Sequence, residues 1–118
     1  MNIQEYDIVV PSETDFKLIT KTQSDQLWWY QNDTMNVLEV RNLTFNVNTT
    51  NTWVDLNMNV PTGFDSNYSV TLTCNIGRDN KTYFTIRILN NKIYVNAINT
   101  GSKTAEGTLV YPRQDKMP

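Results

Sequence analysis

The sequence predicts an all-β domain, an antiparallel β-sandwich or jelly-roll-like barrel with little or no helix. Three observations carry that prediction. Apolar and polar residues alternate in run after run, as in Trp53–Val60 (WVDLNMNV), and a side chain that changes face at every step marks a half-buried strand. Breaks rich in Asn, Gly and Pro recur at roughly ten-residue spacing, the rhythm of a sandwich or barrel. The chain holds 16 Asn and 16 Thr, and threonine favours strands while asparagine favours the turns between them. No segment sustains a helical period with caps.

In chain order, Tyr6–Val10 (YDIVV) reads as a strand stopped by Pro11, and Phe16–Thr20 (FKLIT) as one that pairs with it. Ser12 and Asp15 have the spacing of a capping box, enough for one short turn. Ser24–Asp33 (SDQLWWYQND) is the least regular stretch. Alternation resumes at Met35–Val40 and continues in Leu43–Val47, Trp53–Val60, Tyr68–Ile76, Thr82–Leu89, Lys92–Ile98 and Thr108–Tyr111. Between Val60 and Phe64, Pro61 removes a ladder N–H and Gly63 reaches backbone angles other residues avoid, so the chain turns a corner there. Asn90-Asn91 suits a two-residue hairpin loop, because Asn tolerates positive φ. The tail, PRQDKMP, reads as a flexible end. One domain over residues 1–118 is expected, with a less regular segment 1–34, regular strands over 35–112 and the tail at 113–118.

Composition excludes several function classes. A net charge of −2 and scattered basic residues argue against a nucleic-acid surface, which needs clustered Lys and Arg. No apolar run approaches the ~20 residues of a membrane-spanning helix. MNIQEYDIVV lacks the layout of a signal peptide. Histidine is absent and there is one cysteine. That removes Ser–His and Cys–His nucleophile systems, Cys/His zinc sites and an intrachain disulfide. Cys74 in the run VTLTCNI reads as a buried, inert thiol. The four glycines are isolated, so no phosphate cradle forms. Asp25, Asp33, Glu39, Asp55, Asp65 and Asp79 could in principle pair for glycoside hydrolysis. None sits in an apolar context that raises a pKa, and their spacing is too sparse for calcium. Neither an enzyme nor a cofactor or metal is expected. Asn-x-Ser/Thr matches at Asn32, Asn42, Asn48, Asn67 and Asn80 are what so much Asn and Thr yields by chance.

What remains is binding chemistry. Flat aromatic faces take the C–H side of a sugar ring, while amides and guanidinium take its hydroxyls. Trp28, Trp29 and Tyr30 form the first candidate platform. Adjacent residues of an extended segment point opposite ways, so one of the two tryptophans belongs to the core. Trp53 opens a strand and serves either as a cap on the core or as a ligand contact. In Thr82–Leu89, Phe84, Ile86 and Ile88 share one face, with Tyr83, Thr85, Arg87 and Leu89 opposite. That outer row is more apolar than a free surface needs, which fits a groove or a subunit interface.

The run from Asn42 to Pro112 resembles the receptor-binding heads and tail-fibre tips of tailed phages that infect Gram-positive bacteria. The likeness lies in LTFNV, a Trp-headed strand, the VPTGF corner, then YSVTLTCNI, TYFTIRI, KIYVNA and a final Gly107, Thr108, Tyr111, Pro112 pattern. Residues 1–41 match less well. The resemblance implies a trimeric head that attaches to host cell-wall saccharide, assembles with other tail or baseplate proteins, and resides in the virion after synthesis in the host cytoplasm. In lactococcal heads the strand like YFTIRI carries His and Asp toward the saccharide. Those positions here hold Thr85 and Arg87, so a carboxylate is exchanged for a guanidinium that can donate to hydroxyls or pair across an interface. The candidate saccharide-binding set is therefore Trp28, Trp29, Tyr30, Trp53, Tyr83, Thr85 and Arg87. A structural baseplate module without ligand, or a bacterial carbohydrate-binding module, are the alternative readings.

Overall fold

The computed structural model describes residues 15–75 and 83–116. Among the described residues, eight strands form two antiparallel four-stranded sheets. They are β1 (Lys17–Thr22), β2 (Leu27–Gln31), β3 (Met35–Val47), β4 (Val54–Asn59), β5 (Val70–Asn75), β6 (Tyr83–Leu89), β7 (Lys92–Ala97) and β8 (Gly101–Pro112). Sheet A runs β1-β2-β3-β8 and sheet B runs β4-β7-β6-β5. The domain is an all-β sandwich. Sheet A is a three-stranded meander to which the last strand returns, and in sheet B the hairpins β5-β6-β7 are joined by β4 beside β7.

Alternation on both sheets fills the space between them. Leu27, Trp29, Leu38, Val40 and Leu43 come from sheet A, and Phe84, Ile86, Ile88, Ile93 and Val95 from sheet B. Phe45 on β3 meets Phe84 on β6 edge-to-face at 5.5 Å between ring centroids, bridging the sheets. Trp29 meets Phe64 in the same way at 5.2 Å.

The Pro61–Ser66 corner is bolted to sheet A. The Gly63 carbonyl accepts from Gln31 Nε2 (3.1 Å) and Asn36 Nδ2 (3.3 Å), and Gln31 Nε2 also donates to Asn36 Oδ1 at 2.8 Å. Asn36 is fully buried, and this network supplies the partners that a buried amide requires. Tyr111 Oη donates to the Phe64 carbonyl at 2.7 Å. Burial, and secondarily the Asp65 charge, pushes the Tyr111 hydroxyl well above its ordinary pKa of 10.0. The folded state therefore holds the phenol neutral. Its contribution is fully present below about pH 10 and is lost as pH rises toward the raised folded value, because the unfolded chain ionises first. Tyr111→Phe strands the buried Phe64 carbonyl and should cost about 1–3 kcal/mol in a urea titration at neutral pH. The same variant should lose less stability than wild type between pH 9 and 11, since its phenol is gone.

Four expectations need correction. Trp28, Trp29 and Tyr30 lie on a regular strand, β2, rather than on an irregular segment. Met35–Val40 and Leu43–Val47 are one strand bent by a bulge between Val40 and Leu43, where Asn42 takes a φ of 50°. β8 begins at Gly101, not Thr108. Its inward positions include Lys103, Ala105 and Gly107, which carry no apolar signal. Gly107 is needed there: with φ at 150°, a Cβ would stand 2.8 Å from Leu72 Cδ2 across the sandwich. Lys103 lays its stem inside and donates from Nζ to Asn99 Oδ1 at 2.6 Å. Within the segment 113–118 expected as a flexible end, Gln114–Lys116 is a 3-10 turn. Arg113 donates from Nη1 to the Asn32 carbonyl at 3.0 Å and from Nη2 to Asp115 at 2.8 Å. The expected Tyr6–Val10 strand, the Ser12 turn and the Arg78 and Asp79 loop lie outside the described residues, as does the side chain of Cys74.

Candidate functional site

The outer face of sheet B is built by register. The two-residue loop Asn90-Asn91, both at positive φ (50° and 68°), sets Leu89 opposite Lys92, Ile88 opposite Ile93 and Arg87 opposite Tyr94. On its other side Arg87 stands opposite Thr71, and Tyr94 stands opposite Asp55. One row thus reads Thr71–Arg87–Tyr94–Asp55 across four strands. The next reads Thr73–Thr85–Asn96. Trp53, just before β4, folds over this face.

Arg87 is the centre. Its guanidinium carbon lies 4.1 Å from the Trp53 ring centroid and 5.0 Å from that of Tyr94. Its Nε is the one buried side-chain polar atom without a hydrogen-bond partner among the described residues. Stacking of this kind contributes about 0.5–2 kcal/mol, and an unmet buried donor costs about 1–3 kcal/mol. The other described arginines are paired: Arg41 with Glu39 and Arg113 with Asp115. Nearby, Lys92 Nζ reaches Asp55 Oδ2 at 3.1 Å. A hydrogen bond from the Asn57 N–H, reinforced by Lys92, holds the Asp55 carboxyl below its ordinary pKa.

The predicted site residues are divided among three places. Trp53, Thr85, Arg87 and Tyr83 belong to the outer face of sheet B. Tyr83 sits two rows from Arg87, at the start of the strand, and is 44% exposed. Trp28 and Tyr30 occupy the outer face of sheet A, on the opposite side of the sandwich. There Trp28 lies between Lys21 (3.8 Å) and Arg41 (3.6 Å), with a cation against its ring from two neighbouring side chains. Its indole N–H donates to the Asp25 carbonyl, and Tyr30 Oη donates to Glu39 Oε1 at 3.2 Å. Trp29 is in the core with no exposed surface, its Nε1 donating to Thr22 Oγ1 at 2.8 Å. Trp29 therefore touches no surface ligand. Its apolar ring is worth more between the sheets than on them. The Trp28–Trp29–Tyr30 platform is corrected accordingly: the run supplies one core residue and two that are held by their own sheet.

Tyr94 and Asn96 were not anticipated. Period-two alternation in KIYVNA, with Ile93, Val95 and Ala97 inward, sends both outward, and the short loop then pairs Tyr94 with Arg87. Both signals are present in the sequence.

Elsewhere, two shallow concavities among the described residues hold about 200 and 230 Å³, smaller than the ~300–1,000 Å³ of small-molecule pockets. The first lies between Lys17, Asn32, Asp33 and Arg113, and the second by Gly63 and Asp65. Among the described residues no three Cys, Asp or Glu side chains gather as metal ligands. No described helix is long and apolar enough to cross a membrane. No protein-family model, curated protein or solved structure matches the chain.

Proposed function

We propose that the domain is a non-catalytic adhesion module that binds saccharide on the outer face of sheet B, and that it serves as a phage tail or baseplate receptor-binding domain attaching to the host cell wall. The observation that supports binding at this face is the stack of Trp53, Arg87 and Tyr94 beside Thr71, Thr85 and Asn96. It joins aromatic rings, an arginine without an ion pair among the described residues and neutral hydroxyl and amide groups, which are the groups sugar rings require. The phage assignment rests on the sequence resemblance, as do the homotrimer and the baseplate partners. Weak contacts of this kind become firm attachment when several copies engage one cell.

Trp53→Ala tests the site. Loss of one stacking surface of about 1–1.5 kcal/mol should weaken binding to cell-wall polysaccharide roughly five- to tenfold. The melting curve should shift little, because Trp53 lies outside the buried core. Equal polysaccharide binding by wild type and variant would move the site elsewhere. A wild-type domain that retains no saccharide at all would favour a purely structural module.

A further inference from the structure

We propose that the saccharide held on this face is acidic, its carboxylate or phosphate oxyanion gripped by Arg87; the inference rests on the reading that this face binds saccharide. Three observations lead there. Arg87 is the described arginine without an ion pair, whereas Arg41 and Arg113 each hold a carboxylate. The acidic side chain in its own row, Asp55, is engaged by Lys92 and by the Asn57 N–H. The Trp53 and Tyr94 rings lie 4.1 and 5.0 Å from the guanidinium carbon, which restricts how the group turns, and its Nε has no hydrogen-bond partner among the described residues. A planar fork presented that way matches the two oxygens of a carboxylate or phosphate, and the match is bidentate.

A neutral sugar would use the same donors less well, since it offers single hydroxyl oxygens rather than a charged pair. The chain's net charge of −2 provides no general attraction for polyanions, so acid preference has to come from a local cation. Lys92, the other cation in this part of the sheet, is already matched to Asp55. Thr71, Thr85 and Asn96 are left to meet the neutral hydroxyls of the same sugar.

The test is retention of the purified domain on an array that pairs acidic glycans with their neutral counterparts: uronic acids with their methyl esters, and phosphodiester-linked glycans with dephosphorylated ones. Retention confined to acidic members, at least tenfold above the neutral partner and falling as salt rises, supports the inference. The uronate and phosphate arms show which oxyanion is preferred. Arg87→Gln should remove that preference, and Arg87→Lys should keep the charge but lose most of the tenfold advantage. Equal retention of acidic and neutral partners overturns the inference and leaves the saccharide reading intact. Retention of no glycan overturns both. Acid preference that survives in a folded Arg87→Gln domain assigns the arginine to holding Trp53 in place and refutes the proposal.

Discussion

Trp29→Ala should destabilise the domain by about 3–5 kcal/mol, the usual cost of removing a large aromatic from a packed core. Trp29 is wholly buried at the middle of β2 and packs edge-on against Phe64. Its indole N–H is taken by Thr22 Oγ1, so the change also leaves a hydroxyl without its partner. Domains of this size hold about 5–15 kcal/mol in total, and the variant should retain little of it. A urea titration checks this through a lowered midpoint. Trp29→Phe keeps most of the volume and should recover more than half of the loss. A midpoint unchanged by Trp29→Ala would mean that the ring is not where the sheets meet.

Phe64→Ala should cost a similar ~3–5 kcal/mol, although Phe64 lies in a loop. The Pro61–Ser66 corner turns its ring into the core, fully buried, while the backbone around it is tied down by Gln31, Asn36 and Tyr111. The corner acts as a plug at one end of the sandwich. Because Trp29 and Phe64 touch, their losses should not add. The double variant should be less destabilised than the two single ones together, by about 0.5–3 kcal/mol. Strict additivity would show that the two rings act independently. A cost below about 1 kcal/mol for Phe64→Ala would show that the corner is merely a surface turn.

Much of this architecture was legible in the residues. The alternation in β5 and β6 sorted the faces: Phe84, Ile86 and Ile88 are buried and Val70 and Leu72 pack against the core, and the Val60–Phe64 break marked the corner. β2 was obscured because Trp28, Trp29 and Tyr30 are all aromatic, so hydrophobicity does not alternate even though the side chains do. Leu27 and Trp29 face inward, while Trp28 is kept outside by the cations of Lys21 and Arg41. The start of β8 was hidden for the opposite reason: its inward residues Lys103, Ala105 and Gly107 are small or charged, and at Gly107 a Cβ would meet the Leu72 side chain of β5. The candidate site was partly legible. Arg87, Thr85 and Trp53 followed from the outer row of β6 and the head of β4. Tyr94 required combining alternation with hairpin register, a step from one strand to its neighbour. No sequence pattern shows that Arg87 has no counter-ion among the described residues, since that depends on which carboxylates the fold brings close.

Sheet A's outer face carries a second feature. Leu18, Tyr30, Val37 and Val110 are register partners across all four strands. Leu18 is 42% exposed and Val110 57%. A row of this kind lies on the side away from Arg87, so the proposed trimer contact there would leave the proposed saccharide face free.

The most direct measurement is an amide and side-chain NMR titration of the ¹⁵N-labelled domain with cell-wall polysaccharide fragments from a susceptible Gram-positive host. The account predicts shifts concentrated on Trp53 Nε1, Arg87 Nε, Tyr94, Thr85 and Asn96, with Trp28 and Trp29 indole signals unmoved. Shifts centred on Trp28 and Tyr30, or none anywhere on sheet B at saturating fragment, would contradict it.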